Sequence, residues 1–265
     1  MNFKKFLGAA GVSLMLIGVG ACGDDYVPMQ LVSPTDTSVM FTAEKNTLTL
    51  YPYSEGVSLK ILGGEGRFVI DNSDDKVVSY QYDGETLRLM PEGVGSAVIT
   101  ITDRAGGVFE LTVNVNYVTA TYDVVSQSAV ITGEDMTQGE MAKLTAEIIS
   151  DMGVAIGGRY EFMFHNEACT EGIATIYPTD SQSGVRYGNF AQKNLFTPDG
   201  QEYLATTLNI GSETYEFSMM KNDAGEVTEL RRDVTARYKA SYPALESAYA
   251  VQGVELETEP CNLPE

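Results

Sequence analysis

The chain has 265 residues, 43% of them hydrophobic, with a formal net charge of −20 and a single histidine. That apolar content supports a packed core in one or two domains and argues against an intrinsically disordered chain. The acidity repels phosphate backbones and anionic lipid headgroups, which argues against nucleic-acid binding and electrostatic membrane docking. One histidine and no CxxC pair exclude the usual zinc constellations, so no metal and no cofactor is expected.

Residues 1–25 read as an export segment. Lys4 and Lys5 precede an apolar run, Phe6 to Val19, broken by Gly8, Gly11 and Gly18, and Val19-Gly20-Ala21-Cys22 follows. A basic start, a short apolar core and small residues make a secretory signal, too short for a comfortable transmembrane helix. The cysteine directly behind the small residues resembles the lipobox of bacterial lipoproteins. That resemblance implies cleavage before Cys22 and lipidation of Cys22, which would anchor the protein to a membrane. Asp24 and Asp25 resemble the surface-export signal of lipoproteins of the Bacteroidota group, which implies an outer-membrane anchor facing the cell surface. A periplasm-facing anchor, a retained signal anchor and a soluble secreted form are the alternatives. Residues 1–21 are thus expected as signal peptide and 22–37, with Pro28 and Pro34, as a lipidated tether.

From residue 38 to 117 strand signals dominate. Thr47 to Tyr51 and Val57 to Ile61 alternate polar and apolar residues, as half-buried strands do. Phe68–Ile70, Val77–Tyr82, Thr86–Met90, Ala97–Thr102 and Val108–Val115 follow, separated by turn-forming clusters such as Asp83-Gly84 and Arg104 to Gly107. Short strands at this spacing predict a β-sandwich. The run Gly66 to Val78, then Leu87-Arg88-Leu89, then Gly93-Val94-Gly95 feeding Ser96 to Asp103, resembles the bacterial immunoglobulin-like (Big-type) modules of cell-surface proteins. The resemblance implies a fold and a spacer role for about 80 residues.

Residues 118–265 are expected to form an α+β domain. Thr121 to Ile131 is strand-like. Thr137 and Glu140 then form a capping box, with Met136 and Met141 placed as a hydrophobic staple. Met141, Leu144, Ile148 and Met152 share one helical face, which predicts a helix over 138–152 closed by Gly153 in the left-handed position. An antiparallel meander follows: Tyr160 to Phe164, Ile173 to Tyr177, Val185 to Gln192, Tyr203 to Ile210, Thr214 to Lys221 and Val227 to Ala240. Its hairpin turns are Thr197-Pro198-Asp199-Gly200 and Asn222-Asp223-Ala224-Gly225. The fold class is therefore mainly β: an immunoglobulin-like sandwich, then one amphipathic helix with a meander or small barrel. In shape alone the second part is similar to lipocalin-like domains.

Catalytic signatures are absent from the sequence: there is no GxSxG, P-loop or HExxH motif. His165 and Cys169 are four residues apart with no flanking pattern, so they read as turn residues and the chain as a non-enzyme. Asp71 to Asp75 offers oxygen ligands without EF-hand spacing, and reads as an inter-strand loop. With Cys22 lipidated, Cys169 and Cys261 remain for one disulfide, free thiols being the alternative. If the meander curves, Tyr187, Phe190, Tyr203, Tyr215 and Phe217 are the candidates to line a cavity for a small apolar ligand. Arg231-Arg232 is a cationic spot, read as a solvated strand end with an anion site as the alternative. The expected function is an envelope lipoprotein whose spacer presents a C-terminal domain to a protein or glycan partner. A carrier of a small apolar ligand is the alternative, and a glycan-active enzyme the least favoured.

Overall fold

The structure, a computed structural model, describes residues 26–36, 38–179 and 183–257. Cys22, Asp24, Asp25 and Cys261 lie outside the described residues. The chain divides into two compact units between Asn116 and Tyr117, and both are built mainly of strands.

In the first unit, β1 (Gln30–Val32), β2 (Met40–Phe41), β4 (Val57–Leu62), β6 (Val78–Tyr82) and β7 (Thr86–Pro91) form a sheet in the order β2-β1-β4-β7-β6. β3 (Thr47–Leu50), β5 (Val69–Asn72), β8 (Gly95–Thr102) and β9 (Val108–Val115) form the other, in the order β3-β9-β8-β5, with β3 and β9 parallel. Alternation along the strands puts Leu59, Leu87 and Leu89 of one sheet and Ile99, Ile101, Leu111 and Val113 of the other into one core, all fully buried. The expected tether is shortened by this arrangement. Gln30–Val32 is a strand within the first sheet, and Met29 and Leu31 belong to the core. A three-residue strand is too brief for alternation to announce it.

In the second unit, β10 (Thr119–Thr132), β11 (Arg159–Phe164), β12 (Glu171–Tyr177), β13 (Arg186–Phe196), β14 (Glu202–Ile210), β15 (Glu213–Lys221), β16 (Val227–Asp233) and β17 (Ser247–Leu256) form a closed antiparallel barrel. Each strand pairs with the next, and β17 returns to β10 over the register Tyr122–Leu256 to Thr132–Ser247. That closing strand, Ser247–Leu256, is an addition to the meander expected from the sequence. The expected strand from Val227 to Ala240 instead stops at Asp233 and gives way to a short helix, α2 (Thr235–Tyr238).

The barrel has a filled end and a helix-capped end. At the filled end Phe162, Phe164 and Phe190 meet edge to face, with ring centroids 4.9 and 5.3 Å apart, among Tyr122, Leu204, Val227 and Val254. At the other end α1 (Gln138–Ser150) lays Leu144 and Ile148 against Ala129, Ile131, Ala248 and Ala250, with Val234, Tyr238 and Leu245 around them. A bulge between Val124 and Ser126 lets both ends of β10 face inward. Ala120, Tyr122 and Val124 point in before it, and Ala129 and Ile131 after it, where they meet the helices. Gly253 faces the bulge, where a Cβ would lie 2.3 Å from Ser126 Oγ.

The capping box of α1 is present in full. Glu140 N–H donates to Thr137 Oγ1 at 3.2 Å, and Thr137 N–H donates to Glu140 Oε2 at 2.9 Å. The C-terminus differs from expectation. The helix ends at Ser150 with Asp151 as a right-handed cap, and Gly153 has no positive φ. An acid opposes the helix dipole at that end. Arg237 offsets it from 2.7 Å, and the Tyr238 hydroxyl donates to the same Asp151 carboxylate at 2.6 Å.

Candidate functional site

The inner wall of the barrel is set by strand phase. Tyr160, Ile176, Arg186, Leu208, Phe217, Leu230 and Gln252 all point inward beneath the helix-capped end, where the interior is not filled. A cavity of about 310 Å³ remains, bounded on the helix side by Asp151, Met152, Gly153 and Val154. That volume lies at the lower end of the range of small-molecule sites.

The cavity floor carries one buried polar chain. The Tyr160 hydroxyl donates to Gln252 Oε1 at 2.7 Å, and Gln252 Nε2 donates to the Val154 carbonyl at 2.7 Å. Gln127 Nε2 donates to the same carbonyl at 2.9 Å. Every member is paired, so the chain fixes the segment after α1 to the barrel wall. Burial pushes the Tyr160 phenol well above its usual range, only partly offset by the nearby Arg232 and Arg186 charges. Tyr160 is thus a neutral hydrogen-bonding group at any physiological pH.

The rim carries three arginines, in a chain of net charge −20. Arg237 is paired with Asp151. Among the described residues Arg186 donates through Nη2 to the Gly153 carbonyl, at 3.4 Å, and interacts with the Tyr215 hydroxyl. A Cβ at Gly153 would stand 2.8 Å from Arg186 Nη2, so a side chain there would push the guanidinium from its present place. Arg232 lies over the Tyr215 ring, 5.6 Å from its centroid. Among the described residues neither Arg186 nor Arg232 has a carboxylate within 4.0 Å. The Tyr215 hydroxyl donates to Glu213, and that bond, followed by burial, raises its pKa.

The wall is split beside these residues. The β15–β16 ladder ends at Ser218–Arg231, although β15 runs on to Glu213 and β16 to Asp233. Glu213 and Tyr215 stand on one side of the split and Arg232 on the other. They also border an open groove with Thr235 and Arg237 of α2. The Arg232–Tyr215 stack therefore bridges the lateral opening of the cavity.

Of the five residues expected to line a cavity, Tyr215 and Phe217 do so. Phe190 points inward but belongs to the packed aromatic cluster at the filled end. Tyr187 and Tyr203 do not face the interior. Tyr187 is 66% exposed, paired across from Thr175 in the outward phase, and Tyr203 borders an outer groove with Phe196 and Tyr249. The adjacent arginines divide between the two faces: Arg231 turns out to Glu229, 2.6 Å away, and Arg232 turns in. Arg186 and Gln252 do not stand out in the sequence, and Tyr160 stands out there only as a strand residue suited to core packing or barrel lining. The signal that marks them is strand phase, since each shares the inward register of a neighbouring buried residue.

The remaining candidates take structural roles. Cys169 is buried and disulfide-bonded, so its sulfur is committed and forms no nucleophilic pair with His165. Its expected partner Cys261 lies outside the described residues. His165 is exposed and stands against the Tyr117 ring, with centroids 4.9 Å apart. In the Asp71–Asp75 loop, Asn72 and Asp74 accept backbone N–H groups from Asp74 and Lys76, and Ser73 accepts from Val98. Among the described residues no three acidic, histidine or cysteine side chains converge as a metal site would require. Comparison with protein-family models and with curated proteins finds no match to this chain, so the functional reading rests on the barrel's own geometry.

Proposed function

We propose that this chain is a non-enzymatic, lipid-anchored cell-envelope protein, with the sandwich unit as spacer and the barrel as a binding module for a small, largely apolar ligand. The observation that carries the binding role is the cavity of about 310 Å³ left inside a closed barrel whose other end is densely filled. Ile176, Leu208, Phe217 and Leu230 give it an apolar body, and a few fixed polar groups give it orientation. Support for the anchor and its outer-membrane, surface-facing location comes from the lipobox-like Val19-Gly20-Ala21-Cys22 and from Asp24-Asp25. Native mass spectrometry of the full chain purified from its own host tests the binding role, and a bound mass above that of the lipidated chain is expected. A bare chain, together with a Leu208→Trp variant as stable as the parent and unchanged in every ligand titration, removes it. Labelling with radioactive palmitate tests the anchor; incorporation is expected, and its persistence in Cys22→Ser refutes it.

One further observation favours presentation of the barrel's outside to a protein or glycan. Phe196, Tyr203, Tyr249 and Val130 line an outer groove of about 330 Å³, with Phe196 69% exposed. Tyr203→Ser with Tyr249→Ser is expected to abolish retention on host cell-wall glycan if that face binds it, and unchanged retention refutes glycan recognition there.

A further inference from the structure

We infer that the barrel cavity takes a small organic monocarboxylate with an apolar body, its carboxylate held between Arg186 and Arg232. The inference rests on the ligand-binding reading of the barrel and names the chemistry of its ligand.

Two guanidiniums with no carboxylate partner among the described residues, at the mouth of a cavity with apolar and polar walls, require explanation in a chain of this acidity. Neighbouring acids are plentiful, yet among the described residues Arg237 alone of the three rim arginines has a carboxylate partner, Asp151. Arg186 spends one long hydrogen bond on Gly153, and Arg232 rests on an aromatic face. A guanidinium carries five N–H donors in a planar fork, so most of this donor capacity is uncommitted among the described residues. Both guanidiniums also approach Tyr215, Arg232 over its ring and Arg186 beside its hydroxyl, so they meet at one stretch of the cavity rim. A carboxylate oriented by two such forks forms charge-assisted hydrogen bonds where water is partly excluded.

The charge count at the rim selects a monoanion. Arg237 and Asp151 neutralise each other. Arg186 and Arg232 then face the single carboxylate of Glu213, which the Tyr215 hydroxyl engages. The balance is one positive charge. A phosphate monoester would bring about −1.5 to −2 and meet Glu213 with charge to spare. Size sets the body. At about 30 Å³ of liquid volume per water, the cavity holds about ten water-sized groups. That suits a medium-chain fatty acid or a single-ring aromatic acid. The Tyr160–Phe217–Tyr215 aromatic run and Leu208 supply the wall for either. The gap between β15 and β16 offers a way in beneath Arg232.

Calorimetric titration of the full chain with octanoate, octanol and octyl phosphate tests this. Octanoate is expected to bind at least about tenfold more tightly than octanol, the gain of a charge-assisted pair. Arg186→Gln and Arg232→Gln are each expected to weaken octanoate about tenfold and to leave octanol within about twofold. Melting temperatures report whether either variant loses the fold. If one does, Arg232→Lys, which keeps the charge and loses the fork, is expected to weaken octanoate several-fold, and unchanged affinity there overturns the inference. Octanol matching octanoate, or octyl phosphate exceeding it, overturns the carboxylate assignment and leaves the cavity reading standing. No binding of any of the three, with a bare chain in native mass spectrometry, removes both.

Discussion

Removing the amide of Gln252 isolates the contribution of the buried polar chain under the cavity. In Gln252→Leu the Tyr160 hydroxyl loses its acceptor while remaining 4% exposed, and the Val154 carbonyl keeps only the Gln127 amide. An unpaired buried hydroxyl costs about 1–3 kcal/mol, and the carbonyl, still singly bonded, adds little. The leucine gains some apolar burial, so a net loss of about 1–2 kcal/mol is expected. Tyr160→Phe strands Gln252 Oε1 and costs a similar amount. The double variant strands neither group and is expected to lie within about 1 kcal/mol of the parent. The coupling energy, the sum of the two single losses less that of the double variant, should therefore reach about 1–4 kcal/mol, with the double variant more stable than either single one. Urea unfolding of the full chain reads this from the shift in midpoint at constant slope. The chain has no tryptophan, so tyrosine fluorescence with far-ultraviolet circular dichroism serves as the probe. Strict additivity of the two losses refutes the chain as a coupled unit.

Other expectations follow from the packing and charges. Leu144 is fully buried between α1 and the barrel mouth, so Leu144→Ala should cost about 2–5 kcal/mol by urea unfolding, and a loss below 1 kcal/mol would mean the helix does not seal that end. In the sandwich unit, the Asp103 carboxylate is partly desolvated, which raises its pKa. The Glu65 and Gly107 N–H groups and the Tyr26 hydroxyl stabilise the charged form and win, holding the pKa below the usual carboxylate value. Its stabilisation is thus complete above the unfolded-state pKa of about 3.9 and is lost as pH falls through the lower folded value. Asp103→Asn should flatten the acid limb of the stability–pH curve below about pH 4, and an unaltered limb would contradict the assignment. Peptide mapping without reductant should recover Cys169 joined to the Cys261 peptide, and recovery of Cys169 as a free thiol would contradict the disulfide.

Much of this architecture can be read from residues, and the failures have physical causes. The capping box at Thr137 and Glu140 is local, so four residues suffice to reveal it. The strands with strict alternation, such as Tyr160-Glu161-Phe162, declare both their existence and their inward face. Ser247–Leu256 hides because its inward residues include the small Ala248 and Ala250, whose size answers to α1 rather than to any strand pattern. Tyr187 and Tyr203 mislead because aromatics suit either face of a strand, and only register assigns the face. The site itself is the least legible part. Arg186, Arg232 and Gln252 are ordinary polar residues in sequence, and they become a set only when β13 is brought around the barrel axis to face the paired strands β16 and β17.

The helix cap carries an evolutionary consequence. One side of the cavity is not sheet at all but the four residues that follow α1, clamped by side-chain hydrogen bonds to Val154 and Gly153. Barrel geometry is fixed by a continuous ladder of strands, and altering its girth means altering every strand. The segment 151–154 has no such obligation. Substitutions there, or in the α1 face that seats it, resize the chamber while the sheet stays untouched. Ligand preference in such a protein can therefore drift through a short connector, with the barrel serving as a constant vessel under an exchangeable stopper.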